Sequence, residues 1–77
     1  MRKVDITQEP VELYKILKFE GLVTTGGEAK LLIDDGQVTV NGQIETRRRK
    51  KIVNGDVIEF GGETLKMQLV SANERAE

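Results

Sequence analysis

The hydrophobic period of this chain changes at Gly36, and that change limits the fold more than any other feature. Before Gly36, apolar residues recur at helical spacing. Leu13, Ile16 and Leu17 fall at i, i+3 and i+4, and so do Ala29, Leu32 and Ile33. After Gly36 they alternate with polar residues: Val38 with Val40, Ile58 with Phe60, and Leu65 with Met67 and Leu69. Helices first and short strands afterwards argue an α+β fold, two packed helices followed by a small curved antiparallel sheet.

Local signals mark the ends of these elements. Pro10 suits the first position of a helix, with Glu9 and Glu12 near its positive end, so the sequence predicts a helix over Val11 to Glu20 stopped by Gly21. Thr25-Gly26-Gly27-Glu28 has the form of a capping box, in which Glu28 reaches back to the N–H of Thr25. It opens a second helix that Gly36 ends. Asp34 and Asp35 lie in its last turn, where the helix dipole disfavours acids, and the sequence alone offers no reason for them. Asn41-Gly42, Asn54-Gly55-Asp56 and Gly61-Gly62 separate the strands, with Gln43 to Glu45 as the return strand of the first hairpin and Phe60 in the core.

A chain of 77 residues makes one domain with a thin stability margin. Domains of this size often add a disulfide or a metal, but this one has no Cys and no His. The commonest acid–base and nucleophilic groups are therefore absent, which argues against an enzyme. Asp34 and Asp35 are adjacent and do not face each other on a helix, so no metal and no cofactor is expected. No run approaches the roughly 20 apolar residues needed to span a membrane. Met1 to Asp5 leads into no apolar run that would read as a secretory signal. The expected location is the cytoplasm. The expected organisation is an N-terminal extension over 1–9, irregular or a short strand, a domain over 10–70, and a flexible tail over 71–77. A monomer is the default.

The net charge of −1 does not suggest a polyanion partner, but its distribution does. Arg47-Arg48-Arg49-Lys50-Lys51 is an unbroken basic run in an otherwise acidic chain, and Glu45 is the only acid close by in sequence. Arg forks pair with phosphate oxygens and Lys acts as a point charge. On an extended segment Arg47, Arg49 and Lys51 would share one face, with Arg48 and Lys50 on the other. A solvated loop or a localisation signal is the plainer alternative. Gly26 and Gly27 open a helix whose first amides attract anions, and residues without side chains admit a phosphate backbone closely. The alternative there is a pair of glycines that merely relieves a tight turn. Lys30 lies one turn on and could reach a phosphate at that helix start; the plainer alternative is a solvated surface lysine. Lys15 and Lys18 read as solvated, Lys15 with Glu12 as a partner. Asn41 is principally a turn residue. Tyr14, Phe19 and Phe60 are the only aromatics, too few for a reader of single strands.

The segment Leu13 to Gly42 resembles the RNA-binding domain named after small-subunit ribosomal protein S-four, also called the alpha-L RNA-binding motif. The resemblance is carried by Gly21, Thr25, Ala29, Leu32-Ile33, Gly36, Val38-x-Val40-Asn41-Gly42 and Gly55-Asp56-Val57-Ile58, in order, over roughly residues 11 to 60. Gly26-Gly27-Glu28-Ala29-Lys30 is similar to small stand-alone bacterial members of the family. The family's usual Ser-Arg is Thr25-Gly26 here, so an Arg that often faces RNA is missing. The resemblance implies non-enzymatic binding of structured RNA, rRNA or tRNA, with ribosomal particles as partners and a role in ribosome assembly or translation. The candidate RNA-binding residues are Thr25, Gly26, Gly27, Lys30, Arg47, Arg48, Arg49, Lys50 and Lys51. Three other readings compete: a protein-interaction module whose basic run binds an acidic partner, a DNA-binding domain, and a structural domain without a ligand. A DNA reader would want a basic recognition helix, and the second helix carries only Lys30 against Glu28, Asp34 and Asp35.

Overall fold

Two helices form where the helical period places them. In the computed structural model, which describes residues 1–70, α1 spans Leu13–Phe19 and α2 spans Gly26–Asp34. The tail expected over 71–77 lies outside the described residues. Helix α1 buries Leu13, Ile16 and Leu17, while α2 buries Ala29 and Ile33 and half-buries Leu32. Both helices end in the same way. Gly21 and Gly36 have φ of +73° and +78°. In α1 the amides of Gly21 and Leu22 return to the carbonyls of Lys18 and Leu17; in α2 those of Gly36 and Gln37 return to Ile33 and Leu32. This is the paired-bond stop that a left-handed residue permits.

The start of α1 differs from expectation. Pro10 lies outside the helix, and Val11–Glu12 forms a short strand, β2. Its partner is β5, Lys51–Ile52, with Val11 opposite Ile52 and Glu12 opposite Lys51. This antiparallel pairing holds Val11 and Glu12 extended, so the helix starts at Leu13. Glu9 is likewise not at a helix end; its carboxylate accepts from the Asn54 amide at 2.8 Å.

The remaining strands form one five-stranded sheet in the order β1-β7-β6-β3-β4. They are β1 Arg2–Ile6, β3 Thr39–Val40, β4 Gln43–Ile44, β6 Val57–Phe60 and β7 Glu63–Leu69. Four of the pairings, including β2 with β5, are antiparallel as expected, but β1 lies parallel to β7, so the main sheet is mixed. Residues 2–6 of the segment read as an extension thus supply an edge strand. It buries Val4 and Ile6 against the core and leaves Lys3 and Asp5 outside. The core gathers α1, α2 and the inner face of the sheet, with Leu13, Leu17, Ile33, Ile52, Ile58 and Leu65 fully buried. Phe60 packs partly against it, and Ile44, on the edge strand β4, is 67% exposed.

Asn41 works as a clamp as well as a turn residue. Its φ of +54° closes the β3–β4 hairpin. Its carboxamide donates to Asp56 Oδ1 at 3.1 Å and accepts from the Val57 amide at 2.9 Å. The Asn41-Gly42 turn is thereby fastened to the Asn54-Gly55-Asp56 turn.

An added Cβ at Gly36 would meet only an ordinary contact, Ile44 Cγ2 at 3.5 Å, so the left-handed φ is the whole penalty. Gly36→Ala should destabilise the domain by about 1 kcal/mol. Thermal unfolding would register that as a fall in Tm of roughly 4–8 °C.

Candidate nucleic-acid interface

The basic run is a turn, held from three sides. The Lys50 amide donates to the Arg47 carbonyl at 3.2 Å, so residues 47–50 do not form the extended segment that alternation assumed. The reason is that their carbonyls are needed elsewhere. Helix α1 has no side-chain cap at Glu12, and its first amides need acceptors. The Leu13 amide donates to the Lys50 carbonyl at 3.0 Å, and the Tyr14 amide donates to the Arg48 carbonyl at 3.2 Å. Beyond the turn, fully buried Ile52 anchors the chain with about 1.5–3 kcal/mol of apolar burial. Before it, the Glu45 amide donates to the Val38 carbonyl at 2.9 Å.

The five cations are less free than the sequence suggests. Arg47 forks onto Glu45, with Nε at 2.9 Å and Nη2 at 3.1 Å. Arg48 grips Asp34 through Nε and Nη2, the shortest contact being 2.7 Å. Arg49 Nε lies 3.6 Å from Glu12, whose other oxygen meets Lys15 Nζ at 3.2 Å. Glu45 was the one acid expected near the run. Folding brings Asp34 and Glu12 to it as well, and Asp34 thereby acquires a role that its clash with the helix dipole concealed. Lys30, Lys50 and Lys51 have no ion pair among the described residues.

These pairs set the local titration. The Arg48 guanidinium, chiefly by hydrogen bonding, holds the Asp34 carboxyl below its ordinary value, and desolvation opposes it only in part. Arg47 does the same to Glu45, and Lys15 to Glu12. In return Arg47 and Arg48 are raised by their partners.

Helix α2 presents the other half of the candidate surface. Thr25 Oγ1 accepts from the Glu28 amide at 3.1 Å, as the capping box requires. Glu28, however, reaches the amide and hydroxyl of Thr24, at 2.8 and 3.0 Å, instead of the Thr25 amide. That double acceptance lowers the Glu28 pKa. Lys30 Nζ stands 4.8 Å from the centroid of the Tyr14 ring, a cation–π contact. A Cβ built on Gly26 would rest 3.7 Å from the edge of the same ring. Tyr14 thus joins the two halves: its amide holds the basic turn, and its ring lies beside Gly26 and Lys30. From sequence, Gly26, Gly27, Lys30 and the basic run are expected to form one continuous surface; the contacts here link Gly26 and Lys30 to the basic turn through Tyr14. Tyr14 and Asp34 were not singled out as part of this surface, and the mismatch of Asp34 with the dipole was the one available sign.

Neither Gly26 nor Gly27 has a positive φ, and a Cβ on either would meet nothing closer than 3.7 Å. A tight interhelical turn therefore does not account for them.

Because the Asp34 pKa is lowered in the fold, the Asp34–Arg48 contribution is complete above the ordinary aspartate value and is lost as pH falls through the lowered one, that is, below about 4. Carboxyl NMR titration should place the Asp34 midpoint below the ordinary range, and Arg48→Gln should return it there. An unmoved midpoint would break the assignment.

A family model described as the S4 domain matches residues 4–68. YbcJ of Escherichia coli (strain K12) is 46% identical over 57 residues, covering 74% of this chain and 81% of that protein. The probable ribosome maturation protein RlbA of Bacillus subtilis (strain 168) is 34% identical over 59 residues, covering 77% of this chain and 83% of its own. The solution structure of YbcJ, described as revealing an alpha-L motif involved in RNA binding, matches with a TM-score of 0.68 and 40% identity, over 88% of this chain and 87% of that one. With the family model spanning most of the sequence and the two-helix, mixed-sheet fold shared with YbcJ, this protein belongs to the S4 domain family and has the alpha-L fold.

Proposed function

We propose that this protein binds structured RNA without catalysing a reaction, through one surface made of the first turn of α2, Lys30 and the turn from Arg47 to Lys51. The observation that carries this reading is the bareness of Gly26 and Gly27. Glycine costs a helix up to about 1 kcal/mol relative to alanine. Here neither backbone conformation nor internal packing asks for it. A phosphate backbone lying against the first amides of α2 would ask for it, since a Cβ there would hold the phosphate off. The cation missing at Gly26 is supplied one turn later by Lys30, above the shared Tyr14 ring.

The relatives support the same reading: YbcJ through the motif described for its structure, and RlbA through its designation in ribosome maturation. In this reading the RNA is rRNA or tRNA, the setting is ribosome assembly or translation in the cytoplasm, ribosomal particles are partners, and the protein acts as a monomer; the designation of RlbA bears on the ribosomal setting alone. Lys50 and Lys51, with no internal acid to displace, contribute most to phosphate binding. Arg47, Arg48 and Arg49 exchange or share their carboxylates and contribute less per charge. That internal pairing is also what favours a second reading, a module that docks an acidic protein surface.

Fluorescence anisotropy with a folded rRNA fragment over a salt series tests the first reading, with matched duplex DNA as competitor. Lys30→Gln, Lys50→Gln and Lys51→Gln combined should make the slope of log K against log salt shallower by about two to three phosphate contacts, at roughly 0.7–0.9 each. Arg47→Gln alone should change it by less than one. Gly26→Ala and Gly27→Ala should move stability and binding in opposite directions: up by about 0.4–1 kcal/mol in unfolding, down in RNA affinity. Absence of nucleic-acid binding at low salt would transfer the case to the protein-docking reading.

A further inference from the structure

Beside the basic turn runs a groove between α1 and the β1–β2 segment. Its volume is about 480 Å³, and Ile6, Pro10, Ile16, Lys15, Phe19 and Lys51 are among its lining residues. That size lies within the roughly 300–1,000 Å³ typical of small-ligand sites. Lys15 and Phe19 are four residues apart on α1, so both project from one helix face, separated along the axis by a rise of about 6 Å. Lys51 stands at the end of the groove nearer Lys15, because β5 registers it opposite Glu12. The other end lies beside Glu20, which is tied to Arg2 at 3.4 Å.

Phe19 is 71% exposed. Of the other aromatics, Tyr14 is engaged with Lys30 and Phe60 packs against the core, so Phe19 is the one aromatic ring left largely open. We infer that the groove holds one unstacked nucleotide of the bound RNA, its phosphate at Lys51, which has no ion pair among the described residues, and its base against the Phe19 ring. This rests on the RNA-binding reading above and adds to it a site for a single extruded base.

Three observations favour a nucleotide as occupant. The cationic end of the groove is continuous with the basic run, since Lys51 belongs to both. Aromatic faces bind bases by stacking whatever their identity. A lone ring also suits a lone base, such as a bulge in folded RNA, whereas a single strand would need several rings in a row. Carboxylates line the groove too. Glu12 and Glu20 are neutralised by Lys15, Arg49 and Arg2. Asp5 is the lining carboxylate with no ion pair among the described residues, and a carboxylate there accepts from the amino group of a base.

The chain contains no Trp, so Phe19→Trp provides a single reporter. It would be titrated with an RNA duplex carrying one bulged adenosine and with the same duplex lacking the bulge. Emission should be quenched by the bulged RNA alone. Phe19→Ala, checked for folding by circular dichroism, should lose roughly tenfold or more in affinity for the bulged RNA and less than twofold for the plain duplex. If both RNAs bind wild type, yet emission is unmoved and Phe19→Ala treats the two alike, the groove assignment is overturned and the RNA reading stands. If neither RNA binds wild type at low salt, both fall.

Discussion

The architecture of the candidate surface depends on two hydrogen bonds, from the Leu13 and Tyr14 amides to the carbonyls of Lys50 and Arg48. A helix start needs acceptors, and α1 has no side chain to supply one. The basic turn supplies them with its backbone. Its carbonyls are thereby directed inward, and Arg47, Arg48 and Arg49 remain exposed. The same arrangement carries an electrostatic cost, because the positive end of a helix dipole lies beside five cations. Glu12, Asp34 and Glu45 offset that cost at the points where they meet Arg49, Arg48 and Arg47. Acids within a surface proposed to meet an anion are then no contradiction, since they offset the repulsion of the turn in the absence of a ligand.

The division of labour between the two kinds of cation follows from their chemistry. Arg forks match carboxylates in a bidentate way and orient well, whereas Lys ammonium groups carry charge without fixed geometry. Here Arg47 and Arg48 make the forked pairs, and Lys30, Lys50 and Lys51 do not. Exposed ion pairs contribute little to stability by themselves. Burial of Ile52 and the backbone hydrogen bonds hold the turn, and the arginine pairs chiefly decide which way their own side chains lie.

How much of this was legible in the sequence depended on distance along the chain. Both helices, their Gly21 and Gly36 stops and the Thr25 cap are local, and each could be read from a few adjacent residues. The strand β1 could not. It offers only Val4 and Ile6 as an alternating signal, and its partner β7 begins at Glu63. The displaced start of α1 has the same cause, because β2 is defined by β5, which lies beyond both helices. At the site, adjacency marked the basic run but hid its neutralisation. Arg48 and Asp34 are 14 positions apart, and no local rule joins them. Only the conflict of Asp34 with its own helix dipole left a trace, as residues that break a local rule tend to do at constrained sites.

In a domain this small, with no disulfide to staple it, the residues of the proposed surface also serve the fold. Thr25 caps α2 at the place where a phosphate would approach. Tyr14 holds the basic turn by its amide and steadies Lys30 by its ring. Asn41 fastens two turns through both ends of its carboxamide. Side chains already fixed by the fold lose little freedom when a ligand arrives, and ordering is among the larger costs of association. Shape-selective binding of a folded polyanion follows more naturally from such a surface than adaptive binding of a flexible strand. In the proposed reading the bare first turn of α2 is the complement of that rigidity: where the surface cannot adjust to a backbone, Gly26 and Gly27 would leave room for one.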